Sequence, residues 1–594
     1  MIKFLWQSLV SDKIAEPKET QTMKSGRFFR HTIVITIVMS LVAASLSGCF
    51  AVIPITLFGC YGISDLLSDI SDYTYTDPDD VSDYNDISGE LSYDEYDISD
   101  FLDGCDELIS LSDSKAAAGA ARKYEELYAE FLHIYENNTA IYIKYCEDPS
   151  DEYISDLYIT DTKNINTCSD TLLSAIKQLC TGPCSESFRK YIGNELFDAY
   201  ASYEPASDEQ TEINDQLVDI VDRYQTALSD IENASYVSSD DYEELGELYV
   251  TLVGLNDKLA KSCGYDNYAE YADREIYGRD YSDDDIESFY ASVKEIASRY
   301  NTFIYDSQIF YTPYYIDVSM EGDEMLSLLA EYAAYIDTTA GEAAEELTDD
   351  KLYNIGYDDD RISGAYTISL PESEKSYIFA TLDGSYCDFV TLTHEFGHFT
   401  EDTVNSDPNI LLYSYGSLDL TEIHSNGLQA LYTYYYPEIF GNYSDIMSAY
   451  CVSDLLANII DGCFYDEFQR EIYKNPTMTL DEINALYYKL QLEYGVPESE
   501  RDEYGWIYVS HNFESPMYYF SYAVSGLTAL QIWFYTRSDM DTAVGLWENF
   551  INAGSYEYSY NELTDMFGVS GFTDRTSVIV LCDAALSYVE EIVN

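Results

Sequence analysis

Hydrophobic and polar positions divide the chain into an uncharged stretch, an acidic stretch and a long amphipathic remainder. Residues 32–64 carry no charged side chain, and residues 64–104 are rich in Asp, Ser and Tyr and contain no Lys or Arg. From about residue 106 onward, apolar side chains recur every three or four residues, which is typical of amphipathic helices. The clearest predicted helices span 114–138, 186–202, 213–231, 241–262 and 282–303.

One segment interrupts the helical pattern. Residues 361–382 contain the runs RISGAYTISL and SYIFATL, which are rich in β-branched and aromatic side chains and therefore favour strands. The helical pattern then resumes to the end of the chain. The sequence thus predicts a mainly α fold with a small β element.

The uncharged stretch resembles a secretory signal. Basic residues at 24–30 precede it, and Leu46-Ser47-Gly48-Cys49 resembles a bacterial lipoprotein processing site, in which the cysteine becomes the lipidated first residue. We therefore expect an extracytoplasmic protein held at the membrane through Cys49. An uncleaved membrane helix is the alternative, since about 20 apolar residues suffice to span a bilayer. The true start is either Met1 or Met23.

The net charge excludes one class of binding partner, and the cysteines leave two possibilities open. With 30 Lys and Arg against 109 Asp and Glu, the net charge is −79, which excludes nucleic acid as a default partner because phosphate binding needs a basic face. The acidic segment up to residue 104 is predicted to be a solvated tether. Ten cysteines follow Cys60 without a C-x-x-C motif, so both disulfides and free buried thiols remain open.

Two of the six histidines lie four residues apart in His394-Glu395-Phe396-Gly397-His398. On a helix this spacing puts both imidazoles on one face, where they can bind one metal ion. Glu395 can then take a proton from a water bound to that ion. Zinc is the expected ion, because it lowers the pKa of its water and polarises a substrate carbonyl. A helix with two coincidental histidines is the alternative.

A catalytic zinc ion needs a third protein ligand, for which Glu422 is the preferred candidate. It lies 24 residues after His398, near the start of a second amphipathic segment at 417–433. The two acidic competitors follow His398 too closely to fold back, and the histidine competitor points away from the face of Glu422. Asn426 is a candidate for orienting a ligand. The competitors are Glu401, Asp402 and His424.

The late segment 510–523 offers donors for the oxyanion that forms when water attacks an amide. It places His511 close to three tyrosines, and both imidazole and phenol groups can donate a hydrogen bond. Packing of the aromatic rings in the core is the alternative use of this cluster. The three tyrosines are Tyr518, Tyr519 and Tyr522.

These segments together resemble the oligoendopeptidase F and thimet oligopeptidase family of zinc metallopeptidases. Residues 376–399 resemble the segment that contains the family's zinc helix, 418–431 its third-ligand helix, 511–523 its late His/Tyr segment and 263–293 an upstream helical region. The match departs at 399–402, where the family often has a further histidine, and at Asp383, where Asn is expected.

The resemblance implies a large helical fold with a deep substrate channel and endo-cleavage of short unstructured peptides. It implies zinc ligation by His394, His398 and Glu422, with Glu395 as general base and acid. It also implies transition-state stabilisation by the late segment. Its candidate residues are His511, Tyr522 and either Tyr519 or Tyr518, of which we prefer Tyr519.

The predicted organisation is a signal segment at 1–48, a tether at 49–104, a helical region at 105–340 and a catalytic region at 341–594. The expected function is a zinc endopeptidase that acts on oligopeptides at the cell surface and binds one Zn²⁺. No protein partner is implied, and the membrane contact is limited to the N-terminal anchor. The alternatives are a surface lipoprotein that binds peptides without cutting them and a zinc amidase acting on cell-wall peptides.

Overall fold

A computed structural model gives the positions of most of the chain. The predicted signal segment, Cys49 and the larger part of the predicted tether lie outside the described residues. The described residues are 86–593 apart from 95, 113–116, 204, 233–238, 308, 310–319, 359–360, 363, 406–416 and 556–557.

Helices form most of the described chain, which confirms the mainly α prediction. The helices before the sheet are α1 Ser99–Ser112, α2 Ala117–Glu147, α3 Glu152–Thr181, α4 Ser185–Ile192, α5 Asn194–Ser202, α6 Asp208–Glu232, α7 Ser239–Ser262, α8 Tyr268–Tyr271, α9 Asp283–Ser307, α10 Gly322–Ile336 and α11 Thr338–Asp349. Those after it are α12 Cys387–Asn405, α13 Leu418–Tyr432, α14 Tyr436–Ile439, α15 Ser444–Lys474, α16 Leu480–Glu493, α17 His511–Glu514, α18 Tyr519–Thr536, α19 Met540–Ala553, α20 Tyr560–Phe567 and α21 Arg575–Val593.

Local sequence accounts for several helix boundaries. Thr479 and Ser559 each form a capping box at the start of α16 and α20, because a Glu three residues later returns the hydrogen bond. The predicted helices are confirmed, but 186–202 is divided in two at Gly193. The φ angle of Gly193 is +91°, a conformation that ends α4 and that only glycine adopts readily.

The small β element is a four-stranded sheet in the order β1-β2-β4-β3. Strands β3 (Gly364–Leu370) and β4 (Lys375–Thr381) form an antiparallel hairpin, as the strand pattern at 361–382 predicts. Strand β2 (Tyr353–Gly356) runs parallel to β4, and β1 (Ile87–Ser88) runs antiparallel to β2. The chain leaves β4 and enters α12 six residues later, so the sheet lies directly before the HExxH motif.

The folded part begins earlier than the predicted end of the tether at residue 104. Ile87 and Ser88 pair with the sheet, and α1 buries Phe101 and Leu108 completely. The acidic composition of this stretch favours a solvated tether, but its few apolar side chains are enough to hold it on the fold.

Two groups of buried apolar side chains make up the core. The smaller group joins α1 to α5, from Phe101 to Tyr203, and the larger one runs from Ile143 to Val589. The expected boundary at 340/341 does not coincide with the division between them. The stretch Gly441–Lys474 is long and apolar enough to cross a membrane, but 89% of its apolar window is buried inside the fold, as in a core helix. The ten described cysteines are all free.

Candidate active site

Two buried helices carry the predicted metal ligands. His394 and His398 lie on α12, Glu422 lies on α13, and the two helices pack against each other. A Cβ atom at Gly397 would lie 2.4 Å from the Cα of Ser425, so only glycine between the two histidines allows this close approach. The HExxH helix and the third-ligand helix therefore meet backbone to backbone.

The three ligand side chains converge. Nε2 of His394 lies 3.4 Å from Oε2 of Glu422, and Nε2 of His398 lies 3.7 Å from the same oxygen. One ligand atom from each residue falls within 4.8 Å of the others, and all three residues are buried. The structure thus brings together the predicted set of two imidazole nitrogens and one carboxylate oxygen.

Glu395, between the two histidines, is fully buried and is held by the sheet. The hydroxyl Oγ1 of Thr367 on β3 lies 3.0 Å from Oε2 of Glu395 and 2.9 Å from its backbone oxygen. The other carboxylate oxygen, Oε1, is buried and has no hydrogen-bond partner among the described residues. Burial raises the pKa of Glu395 to about 8, although His394 and Thr367 partly oppose this shift.

Further side chains fix the orientation of the ligands. Nδ1 of His394 lies 3.2 Å from Oε1 of Gln429, whose amide donates to Oδ2 of Asp454 at 3.1 Å. If His394 donates from Nδ1, its Nε2 keeps a lone pair for a metal. Tyr518 donates to Oε1 of Glu422 at 2.5 Å. Oε2 of Glu422, the oxygen next to the histidines, is also 3.1 Å from the hydroxyl of Ser425.

The pKa values of the three candidate ligands indicate that the group attracts a positive charge. Burial alone would lower the pKa of His394, but the hydrogen bond and the charge of Glu422 raise it to about 9. Burial lowers the pKa of His398 to about 4. Burial would raise the pKa of Glu422, but the two histidines and Tyr518 lower it to about 2. With its pKa raised by Glu422, His394 would exchange a proton for the metal ion on binding.

The residues fit a divalent metal ion on two grounds. Nε2 of His394 makes no well-aligned hydrogen bond, and Oε1 of Glu395 is buried without a hydrogen-bond partner in the part of the chain that the structure describes. Two imidazoles and one carboxylate also form a common ligand set of catalytic zinc sites. Among the described residues, this is the one group of three His, Cys, Asp or Glu side chains close enough to hold a metal.

His511 and the tyrosines of the late segment are buried next to one another. The Tyr522 hydroxyl lies 3.4 Å from Nε2 of His511, whose pKa burial lowers to about 4, so its imidazole is neutral at physiological pH. The ring of Tyr519 packs on Tyr465 and His511 at centroid distances of 4.9 and 5.4 Å. Tyr518 donates to Glu422, so this tyrosine supports the candidate third ligand.

The competing candidates lie outside the ligand group. His424 faces the backbone oxygen of Phe550 at 3.2 Å, and Asp402 bonds to Ser376. Glu401 is buried beside Asp402. Asn426 does not orient a ligand: it contacts Asn458 at 3.3 Å and Ser525 at 3.5 Å. Gln429 takes that role.

Sequence reasoning missed two of the supporting residues. Gln429 lies seven residues after Glu422, which is two helical turns, so helical spacing alone places it on the same face. Thr367 lies 28 residues before Glu395 on a different element, and no spacing rule connects the two. Helical spacing could therefore have identified Gln429, whereas nothing in the sequence pointed to Thr367.

No family model and no curated protein sequence matches the chain. Its fold is nevertheless shared with solved structures. A structure provisionally described as oligoendopeptidase F is 18% identical, with a TM-score of 0.69 over 84% of this chain and 98% of that one. PZ peptidase A with an inhibitor is 17% identical, with a TM-score of 0.68 over 84% and 99%. A protein from Bacillus anthracis, also provisionally described as oligoendopeptidase F, is 17% identical, with a TM-score of 0.67 over 85% and 99%. At these identities the likeness establishes the fold.

Proposed function

We propose that this chain is a metal-dependent endopeptidase of the oligoendopeptidase F and thimet oligopeptidase family, acting on short unstructured peptides. The observation that carries the proposal is the convergence of His394, His398 and Glu422 beside a buried Glu395 with one open carboxylate oxygen. The shared fold and the sequence resemblance support the same function. A binding protein without activity would not need that carboxylate.

The three ligands would hold one Zn²⁺ ion, which when bound polarises the substrate carbonyl and acidifies water. Glu395 accepts the proton of the attacking water at Oε1 and later passes it to the leaving amine. Thr367 keeps the carboxylate in place by holding Oε2. A group that takes a proton and then returns it works best when its pKa lies near the operating pH.

The late segment stabilises the oxyanion. The imidazole of His511 is neutral, and both an imidazole N–H and the Tyr522 hydroxyl are hydrogen-bond donors that can stabilise the developing charge. We assign this role to His511 and Tyr522, with Tyr519 helping. Tyr518 already donates its hydroxyl proton to Glu422 and is therefore assigned to holding that carboxylate.

Hydrolysis of a quenched-fluorescent peptide of ten residues by the purified full chain tests the proposal. We expect cleavage that a chelator stops and zinc restores. Zinc binding without cleavage in a varied peptide panel would favour the binding lipoprotein. Cleavage confined to cell-wall peptides would favour the amidase.

The proposed cell-surface location rests on the sequence before residue 64. Incorporation of labelled palmitate into the parent, and its loss in a Cys49→Ser variant, is the expected result. Membrane association of both proteins without labelling would favour an uncleaved helix, and a protein found only in the cytosol would contradict the location.

A further inference from the structure

A second cluster of buried charges shares α13 with the metal-binding group. No buried side-chain nitrogen or oxygen of its five members lacks a hydrogen-bond partner. The cluster joins α13 and α15 to the chain before α9, which includes a π-helical turn at Ala272–Ile276. Its members are Asp273, Arg279, Asp419, Asp466 and Arg470.

Arg279 is the centre of this cluster. Its Nε lies 3.2 Å from both oxygens of Asp419 on α13, and its Nη1 lies 3.2 Å from Asp273. Its Nη2 donates to Ser521 on α18 at 2.9 Å. Nη1 also donates to the backbone oxygen of Met517 at 2.9 Å. A single guanidinium therefore ties the third-ligand helix to the segment that precedes α18.

That segment, residues 515–518, has an unusual backbone. Met517 has a φ angle of +73°, which non-glycine residues seldom adopt and which the surroundings must enforce. Its N–H donates to Gln469 at 2.7 Å, and its carbonyl accepts from Arg279. Tyr277 donates to the preceding carbonyl, that of Pro516, at 2.9 Å. Both polar groups of the Met517 backbone are thus fixed.

The next residue closes a loop back to the metal site. Tyr518 donates to Glu422, which lies three residues after Asp419 and so on the same side of α13. Arg279 and Tyr518 therefore form two successive links between the 515–518 segment and α13. Loosening the first link should therefore let Tyr518, and with it the Glu422 carboxylate, take more than one orientation.

We propose that Arg279, assisted by Tyr277, is a positioning residue for the active site: it fixes the 515–518 segment so that Tyr518 orients the metal ligand Glu422. The proposal rests on the function proposed above. It assigns to a residue outside the ligand group a share of the metal affinity and of kcat.

The test compares Arg279→Lys with Arg470→Lys in the full chain. Lysine keeps the charge but cannot reach Asp419, Met517 and Ser521 together, since its donors sit on one nitrogen. Arg470 is the matched control: it is buried in the same cluster, its hydrogen bonds and ion pairs go to Asp273 and Asp466, and it makes none to α13 or to the 515–518 segment. We measure the Kd for zinc by competition with a chelator, kcat, KM and Tm.

We expect Arg279→Lys to weaken zinc binding about 10-fold and to lower kcat by a similar factor, with KM nearly unchanged. Arg470→Lys should lower Tm to a comparable degree but leave the zinc Kd and kcat within about 3-fold. Equal changes in both variants, or none in Arg279→Lys, would overturn the proposal.

If Arg279→Lys does not fold, the Tyr277→Phe variant tests the proposal instead. It removes the hydrogen bond to Pro516, and a weaker zinc affinity at an unchanged Tm supports the proposal, whereas an unchanged affinity contradicts it. If the parent chain binds zinc but cuts no peptide, the proposed function fails, and the difference in zinc Kd still tests the positioning.

Discussion

The two buried charge clusters on α13 differ in how completely their polar atoms are paired. Around Asp419, every buried side-chain donor and acceptor of the five charged residues has a partner. Around Glu422, one turn further along the helix, Oε1 of Glu395 and Oδ1 of Asp454 are buried without one. Both clusters are equally removed from water.

The difference in pairing indicates that one cluster serves mainly to hold the fold and the other to carry out the reaction. A buried group without a partner costs about 1–3 kcal/mol, so a fold retains it where the open atom is used. The cluster around Asp419, here called the saturated cluster, ties α13 and α15 to the chain before α9. The cluster around Glu422, the open cluster, leaves Oε1 of Glu395 and Oδ1 of Asp454 unpaired among the described residues. Breaking the first should therefore lower stability throughout and change metal affinity and kcat only through the contact of Arg279 with the 515–518 segment, whereas breaking the second should change mainly activity.

The largest effect is expected at the open carboxylate. Glu395→Gln keeps the shape of the side chain but removes the base, and kcat for peptide hydrolysis should fall about 10²- to 10⁴-fold at equal zinc content. Glu401→Gln, a buried Glu on the same helix outside the ligand group, is the control and should stay close to the parent. Full activity of Glu395→Gln would contradict its role.

Substitution of an ion-pair partner in the saturated cluster should lower the free energy of unfolding. Asp419→Asn leaves Arg279 without its closest charge partner, and the free energy of unfolding should fall by about 3–5 kcal/mol in urea titrations. Asp583→Asn removes the half-exposed partner of Arg299 and should cost under about 1 kcal/mol. Equal losses in the two variants would show that burial of the ion pair does not matter.

His511 should make stability depend on pH. Its pKa is about 4 in the fold because of burial, against an ordinary value of 6.5, so the unfolded chain binds more protons between these values. Stability contributed by this group is therefore complete above pH 6.5 and is lost as the pH falls toward 4, by about 3 kcal/mol. Urea unfolding at pH 7 and 4.5 should show a smaller decrease for His511→Gln, and equal decreases would contradict the buried neutral imidazole.

The smallest effect is expected at Gln429, which lies against Nδ1 of His394. Gln429→Leu removes the acceptor for Nδ1 of His394 and should weaken zinc binding about 10- to 100-fold, as measured by chelator competition. Asn426→Leu, one turn earlier on the same helix and in contact with Asn458, should leave the affinity nearly unchanged. The same loss in both variants would mean that α13 is disturbed as a whole.

Much of the fold and of the site could be predicted from local spacing. The helix pattern, the β3–β4 hairpin and the convergence of His394 and His398 all follow from periodicities of 3.6 and 2. The tether boundary could not be predicted, because the pairing of Ile87 with β2 joins residues more than 260 positions apart. The distinction between Tyr518 and Tyr519 could not be predicted either, because the two residues are adjacent and which of them reaches Glu422 depends on how the 515–518 segment packs against α13.

The sequence by itself determined the candidate chemistry of this protein: the residues proposed to bind a metal, the residue proposed to move a proton and the helices that carry them. Only the tertiary structure decided how those groups are held. Thr367 on Glu395, Gln429 on His394 and Arg279 on the 515–518 segment depend on how separate elements pack. The physical reason is that helical geometry fixes neighbours within one element, whereas contacts between elements follow from the packing of the whole core.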